Sequence, residues 1–424
     1  MLNYIIFNNV IDRLCFRGNA KTTMVEMFDF SIGGKTTWIP AKSYWRVGLK
    51  LTKVDGTPIA QTDGVAFAHL APGNLFDNVY FMAGGQTVSS IVNYAPQAHA
   101  VGYRLSKSGA WLNSVGKDAY GWQPDYKYRE MMASILDPDD TVTVSPPQDV
   151  SQQNDVYFMY KPPIGIMEHN KPMGSGDYRF QFNPNANFKT SIVESGGVPK
   201  TPGTDYLVSV TSMELYICTE LMDVSPSGTE VLHLMEHQVQ SKPLGGAGDK
   251  NFDFTIPPST KAISVFIQSG STGTNTKIPP STLSCLVAQD YANGLDAQNS
   301  IKSIQLTYAN ITKPPTRWSS EYIPNSQPVA VRKLQQRYLD TQIESSQAFS
   351  SGGCESLQQW LEGGVLLHYS WIRDSNDRST QLQIQVDYAT YEQGSNIFVI
   401  SHYTRSCEIQ IDQGYISSVS SLTI

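Results

Sequence analysis

Leu382-Gln383-Ile384-Gln385-Val386-Asp387-Tyr388 alternates apolar and polar side chains without a break. In an extended chain Leu382, Ile384, Val386 and Tyr388 share one face, and Gln383, Gln385 and Asp387 share the other. A helix, with its repeat of 3.6, would scatter the same residues around its circumference. The stretch therefore predicts a strand with one buried and one wet face, as in an antiparallel sheet packed on one side.

The same period extends outward in both directions. Tyr44 to Leu51 (YWRVGLKL) alternates before the turn Val54-Asp55-Gly56, and Asn78 to Ser89 reads as two short runs joined at Gly84-Gly85. Paired glycines allow the positive φ angles of a tight hairpin. Further β-prone runs are YLVSV (206–210), MELYI (213–217), AISVFI (262–267), SIQLTY (303–308), NIFVIS (396–401) and CEIQI (407–411). Composition agrees: 32 Gly and 24 Pro suit many strands joined by turns and long loops. The expected fold is all-β, with a few short helices in loops and at an inter-domain join.

At 424 residues the chain exceeds one ordinary core, so about two domains are expected. SKPLGGAGDK (241–250) is the best linker candidate between two β-rich halves. The expected division is an N-terminal arm at 1–20, a first sandwich at 21–225, a linker with a short helix at 226–250 and a second sandwich at 251–424. Three stretches have helical period. Gln97 to Val115 puts Ala98, Val101, Leu105, Leu112 and Val115 on one face. Val329 to Gln342, after Pro328, groups Val331, Leu334 and Tyr338. The third is TEVLHLMEHQVQ (229–240), with Ser227 or Thr229 as N-cap and Pro243 with Gly245-Gly246 as its end.

Bulk charge narrows the function classes. Charged residues are 16% of the chain, below the roughly 25% usual for globular proteins, and the formal net charge is −7. An acidic chain without a dense Lys/Arg run is expected to make no direct sequence-specific contact with nucleic acid. Cys15, Cys218, Cys285, Cys354 and Cys407 are odd in number and scattered, which predicts reduced thiols rather than a disulfide framework or a zinc site. The first 20 residues lack the basic leader and long apolar core of a signal peptide. The sequon Asn310-Ile311-Thr312 is accordingly expected to stay unmodified.

Four chemical motifs compete with plain packing roles. His233-Leu234-Met235-Glu236-His237 matches H-x-x-E-H, in which two histidines one helical turn apart hold zinc and the glutamate activates its water. A third ligand would have to come from Glu321 or Glu344, and neither lies on a helix face built to meet the pair. GGKTT (33–37) resembles the end of a phosphate loop, but Asp29 stands where the first glycine belongs, and a strand-like run stopped by proline follows. Cys354 or Ser370 with His368 and Asp374 makes a nucleophile set on paper, without an elbow or protease signature. The 22 Tyr suit contact loops and strands alike. No catalytic, cofactor-binding or metal-ligating residue is assigned, and no cofactor is expected.

From Asn74 to Tyr120 the sequence resembles a recurring stretch of double jelly-roll major capsid proteins, of the adintovirus, Polinton-like virus and virophage type within the tectivirus–adenovirus lineage. The resemblance rests on Leu75-Phe76, the run Val79 to Phe81, Gly84-Gly85, Val88-Ser89-Ser90, Tyr94-Ala95-Pro96 and Gly116-Lys117-Asp118-Ala119. YWRVGLKLTKVDGTPI, ELYICTELMDVSPSGTEVLHLMEHQ and the closing STQLQIQVDYATYEQGSNIFVISHYTRSCEIQID are similar to further family segments, in the family's order. The likeness spans most of 40–412 and is thin between 125 and 205. Gly-Gly replaces the usual Asn-Gly turn, and HYSWIRDSNDRS departs from the family's Phe-Asp-Leu-type stretch.

The resemblance implies two tandem eight-stranded jelly rolls and a structural, non-enzymatic role. Homotrimers would form pseudo-hexagonal capsomers of an icosahedral virion capsid assembled inside the host cell. Implied partners are neighbouring capsomers and penton and minor capsid proteins, with room for an internal membrane. The competing readings are a β-sandwich spike or glycan-binding module and, behind it, a zinc hydrolase using His233, Glu236 and His237.

Overall fold

The computed structural model describes residues 3–7, 28–32, 37–57, 65–67, 70–122, 156–174, 176–185, 192–194, 206–219, 227–268, 301–319, 327–349, 356–357, 360, 366–371, 379–388 and 393–422. The strands are β1 (Asn3–Phe7), β2 (Phe28–Ile32), β3 (Tyr44–Lys53), β4 (Val65–Phe67), β5 (Phe76–Ala83), β6 (Gln86–Ile91), β7 (Val156–Tyr160), β8 (Tyr178–Pro184), β9 (Ile192–Glu194) and β10 (Tyr206–Thr219). They continue with β11 (Gly228–Pro243), β12 (Gly248–Thr255), β13 (Thr260–Gln268), β14 (Ile301–Tyr308), β15 (Ile311–Ser319), β16 (Leu367–Ser370), β17 (Gln381–Tyr388), β18 (Asn396–Asp412) and β19 (Tyr415–Leu422). Two longer helices are α1 (Ala95–Ser106) and α2 (Gln327–Ala348).

Every sheet pairing joins strands of the same half. In the first half one sheet runs β1-β10-β3-β7 and the other β2-β8-β5-β6, with β4 and β9 forming a small separate pair. In the second half the orders are β11-β18-β13-β16 and β12-β17-β14-β15, with β19 added along β18. Leaving out β4, β9 and β19, strands of each half counted in chain order give 1-8-3-6 in one sheet and 2-7-4-5 in the other. That is the strand order of a jelly roll, present twice. In each half a helix fills the same slot, between the fifth and sixth strands: α1 between β6 and β7, and α2 between β15 and β16.

The alternating runs behave as their period demands. In β17, Leu382, Ile384, Val386 and Tyr388 are buried, facing the likewise buried Phe252, Phe254, Ile304, Leu306 and Tyr308 of the neighbouring strands. The Gly84-Gly85 turn has φ of 54° and 78°, the positive pair that a two-residue hairpin requires. An added Cβ at Gly84 would lie 2.8 Å from Cγ2 of Ile416, so the tip of this first-half hairpin also touches β19.

Four expectations need correction. TEVLHLMEHQVQ is not a connecting helix: it lies within β11, paired residue by residue with β18 from Gly228 opposite Ile411 to Pro243 opposite Asn396. Its apolar spacing fits either period over so short a window, and the long ladder with β18 decides for the strand. Ser227, expected as a helix cap, instead donates to Asp412 Oδ1 at 3.0 Å and accepts from the Gln413 amide at 3.0 Å, holding the β18–β19 turn. The glycine-rich 241–250 stretch is no inter-domain linker, since it carries the chain from β11 in one sheet to β12 in the other.

The N-terminal arm also gives way in part, because Asn3–Phe7 pairs antiparallel with Leu215–Thr219 as the first strand of its jelly roll. Finally, the helix drawn from Gln97 to Val115 starts earlier, with Pro96 in its first turn, and ends at Ser106. Ser108 then caps a new turn through its hydroxyl, 3.2 Å from the Trp111 amide, and wider and shorter helical turns follow to Tyr120. Ala98, Val101, Leu105 and Leu112 are buried as expected, whereas the break in the helix leaves Val115 exposed. The second helix is longer than its expected span of Val329 to Gln342. Among the described residues no helix is long and apolar enough to cross a membrane.

Candidate functional site

Because 229–240 is a strand, the H-x-x-E-H residues cannot act as a set. Side chains alternate, so His233 and His237 share one face and Glu236 points to the other. Four residues of extended chain also separate the two histidines by about 13 Å, too far for one metal ion. His233 is itself exposed, with Nδ1 2.7 Å from the buried Ser406 Oγ. Glu344, the candidate third ligand, instead accepts from the Ser370 amide and hydroxyl, each at 2.6 Å, and from Lys313 Nζ at 3.1 Å. It thus pins α2 to β16 and β15. Burial would raise its carboxyl, but the Ser370 donors and Lys313 outweigh burial and hold it below its ordinary value. Among the described residues no group of three or more His, Cys, Asp or Glu side chains is placed to hold a metal ion.

The other paper motifs dissolve similarly. Glu321, Cys354, Asp374 and the Gly33-Gly34-Lys35-Thr36 core of the phosphate-loop match lie outside the described residues. Asp29 sits in β2 and receives Arg179 Nε at 2.7 Å from β8, an ordinary cross-strand ion pair. The Ser370 hydroxyl is occupied by Glu344 and by Gln347 Oε1 at 2.8 Å, with His368 engaged elsewhere. Cys218 and Cys407 are buried thiols that form no disulfide among the described residues.

Two polar features take the place of the expected sites. The first is a chain of buried and half-buried side chains across all four strands of the β11-β18-β13-β16 path. His237 Nδ1 lies 2.9 Å from His402 Nδ1; His402 Nε2 lies 2.8 Å from Ser264 Oγ; Ser264 Oγ lies 2.9 Å from His368 Nδ1. Register creates this contact, since His237 stands opposite His402 and Ser264 opposite His368. Phe349, just past α2, sets its ring 5.3 Å from His402 and 5.9 Å from His368. Burial lowers His237 to about 4 and His368 to about 3, and it pushes His402 well below its ordinary value with help from its two histidine neighbours. The chain is therefore neutral at ordinary pH, three hydrogen-bonded rings rather than three charges.

The second is the seam between the halves. β11 touches β6 and the helical turn Gly165–Glu168 of the first half, and α1 touches α2. Tyr94 accepts from the Ser241 hydroxyl at 2.9 Å and sets its ring edge-on to Phe398 at 5.2 Å. Gln97 Nε2 donates to Gln268 Oε1 at 3.2 Å, and Arg104 Nη2 to the Trp360 carbonyl at 3.4 Å. At the centre of the β11 contact Glu236 is 1% exposed. Opposite it Gly165 has no room for a side chain: an added Cβ would lie 2.6 Å from the Met235 carbonyl oxygen and 2.8 Å from Glu236 Oε1. Sequence reasoning named Glu236 for the wrong reason and missed His402 and Ser264, because cross-strand register is not written in any local pattern.

No protein-family model matches the chain, and no curated protein matches it either. Solved structures do. A chain from the cryo-EM structure of the Sputnik virophage is similar over 100% of this chain and 88% of its own length, with a TM-score of 0.58 at 12% identity. The mavirus major capsid protein is similar over 94% of this chain and 86% of its own, with a TM-score of 0.51 at 9% identity. At such identities the likeness lies in the backbone path, and it runs the whole length of the chain. The protein thus has the double jelly-roll fold that its strand order spells out twice, the fold also adopted by the mavirus major capsid protein.

Proposed function

We propose that the chain is a major capsid protein that trimerises into pseudo-hexagonal capsomers tiling an icosahedral shell. The observation that carries this reading is the repetition of one strand order, with a helix in the same slot, in two halves of one chain. Three copies around a threefold axis then present six similar sandwiches, and a near-hexagonal outline tiles a surface with closed, repeated contacts. β1–β10 would build the first jelly roll and β11–β19 the second, with the division between Thr219 and Gly228.

The work is mechanical: interfaces between copies of this chain, and with penton and minor capsid proteins, do what an active site does in an enzyme. Its place is the virion capsid, assembled inside the host cell. A net negative chain suits a shell that encloses nucleic acid without gripping it, and an internal membrane could underlie it. Light scattering with negative-stain imaging of the purified protein tests the proposal. Trimers with six-lobed outlines are expected; monomers persisting at every concentration up to the solubility limit would sink it.

A further inference from the structure

We propose that Glu236 is a proton-held latch between the two jelly rolls: the seam is tight while its carboxyl is neutral and loosens when the carboxyl ionises. The argument begins with geometry. The side chain belongs to the second half, yet it is pressed against Gly165 of the first, in a space that excludes even a methyl group. Neither carboxyl oxygen makes a well-formed hydrogen bond among the described residues. The nearby Ser89 hydroxyl accepts from the Ile166 amide at 3.2 Å and keeps its own proton to turn toward Glu236, a partial offset to burial. An ionised carboxylate in such a place forfeits its hydration, whereas a neutral acid forfeits far less.

The surroundings do not reverse this. From β18 come Arg405, whose charge favours ionisation, and the neutral Tyr403 and Cys407. β6 supplies only the serines Ser89 and Ser90, and the facing turn adds Glu168. On β11 itself stand His237, neutral above about pH 4, and Glu230, which is also raised by burial and accepts from the Gly174 amide. Burial dominates and lifts the Glu236 carboxyl to about 7, against the pull of Ser89, Gly165 and Arg405. A raised folded-state pKa gives stability that is complete below the unfolded value near 4.5 and is lost as pH rises through about 7.

Hydrogen exchange on the full chain, corrected for intrinsic rates, tests the latch at about pH 5.5 and about pH 8.5. Amides of 89–90, 164–167 and 232–238 should lose protection at the higher pH, by up to about thirtyfold, and Glu236→Gln should abolish the difference. The same loss in the Gln variant, or no loss in the wild type, overturns the proposal. Should the variant not fold, location decides in the wild type: loss confined to the seam supports the latch, and loss spread evenly over β12, β14 and β17 overturns it. Asp77, raised by burial to about 6, is the competing carboxyl. Asp77→Asn should leave the seam response intact, and its disappearance in that variant would overturn the latch.

Discussion

The two jelly rolls share a strand order and differ in what fills them. The first is packed with aromatic rings. Trp45 meets Phe180 at 4.8 Å and Phe182 at 5.1 Å, both near edge-on, while Trp38 sits about as far from Phe81 and Tyr178 as the 5.9 Å that separates it from Phe180. The main sheet of the second is richer in aliphatic side chains, with Ile263, Val265, Ile267, Ile397, Val399 and Ile400 buried beside the stacked rings of Phe266 and Phe398, and it carries the histidine chain. Topology is thus set by alternation and turns, and the chemistry of the filling is free to diverge. The difference has a thermodynamic reading: mild acid should weaken both halves, and the second more, since it holds three linked histidines of depressed pKa.

The largest expected effect concerns the aromatic half. Trp45→Ala removes a fully buried indole from between two phenylalanines and should cost about 3–5 kcal/mol in denaturant unfolding. The loss should fall on the first half; an equal loss of protection in β13 and β18 would show that the halves do not melt separately. Next, His402→Ala empties the middle of the histidine chain and leaves Ser264 and His237 short of a partner. It should cost about 2–3 kcal/mol, read from the same unfolding curves.

Acid should then separate the halves without mutation. A histidine whose folded pKa is depressed contributes stability that is present above its unfolded value near 6.5 and is lost as pH falls toward the folded value. His237 at about 4 and His368 at about 3 therefore predict that the second half melts at progressively lower temperature between about pH 6.5 and pH 4. His99, the buried histidine of the described first half, is lowered to about 3 as well, by burial, but it stands among Tyr103 and Tyr160 near α1. With His99 and the half-buried His169 in the described first half against three linked histidines in the second, the acid shift should be the smaller in the first, and equal melting shifts in both halves would erase the contrast.

Gly84→Ala is a smaller perturbation, expected at about 1–2 kcal/mol, from the positive φ and from Ile416 together. Lys313→Ala should change stability by less than about 1 kcal/mol, because the ion pair with Glu344 is partly solvated and the Ser370 donors remain.

How much of this could be read beforehand depends on solvent. β17 was legible because one of its faces is wet, so each buried residue is flanked by polar ones. β11 was not, since the contacts deciding its conformation lie on β18, far along the chain. The turn at Gly84-Gly85 was legible, as φ preference is local. The turn at Ala309-Asn310, with φ of 53° and 59°, lacks glycine and gave no such signal. The likeness between the halves was invisible for the reason given above: alternation constrains polarity, and residue identity drifts within it. Of the sites, Glu236 and His368 drew notice by chemistry alone, while their true partners, Gly165 and Ser264, are ordinary residues until register and packing bring them close.

The contact between Gly84 and Ile416 bears on the order in which the molecule can be completed. A hairpin in an early-made sandwich is touched at Gly84 by a strand made much later. During synthesis the first jelly roll can collapse around its aromatic rings long before Ile416 exists, and this contact waits until the second jelly roll has added β19. The Gly84–Ile416 contact is therefore a late one, and an immature molecule differs from a finished one by its lack.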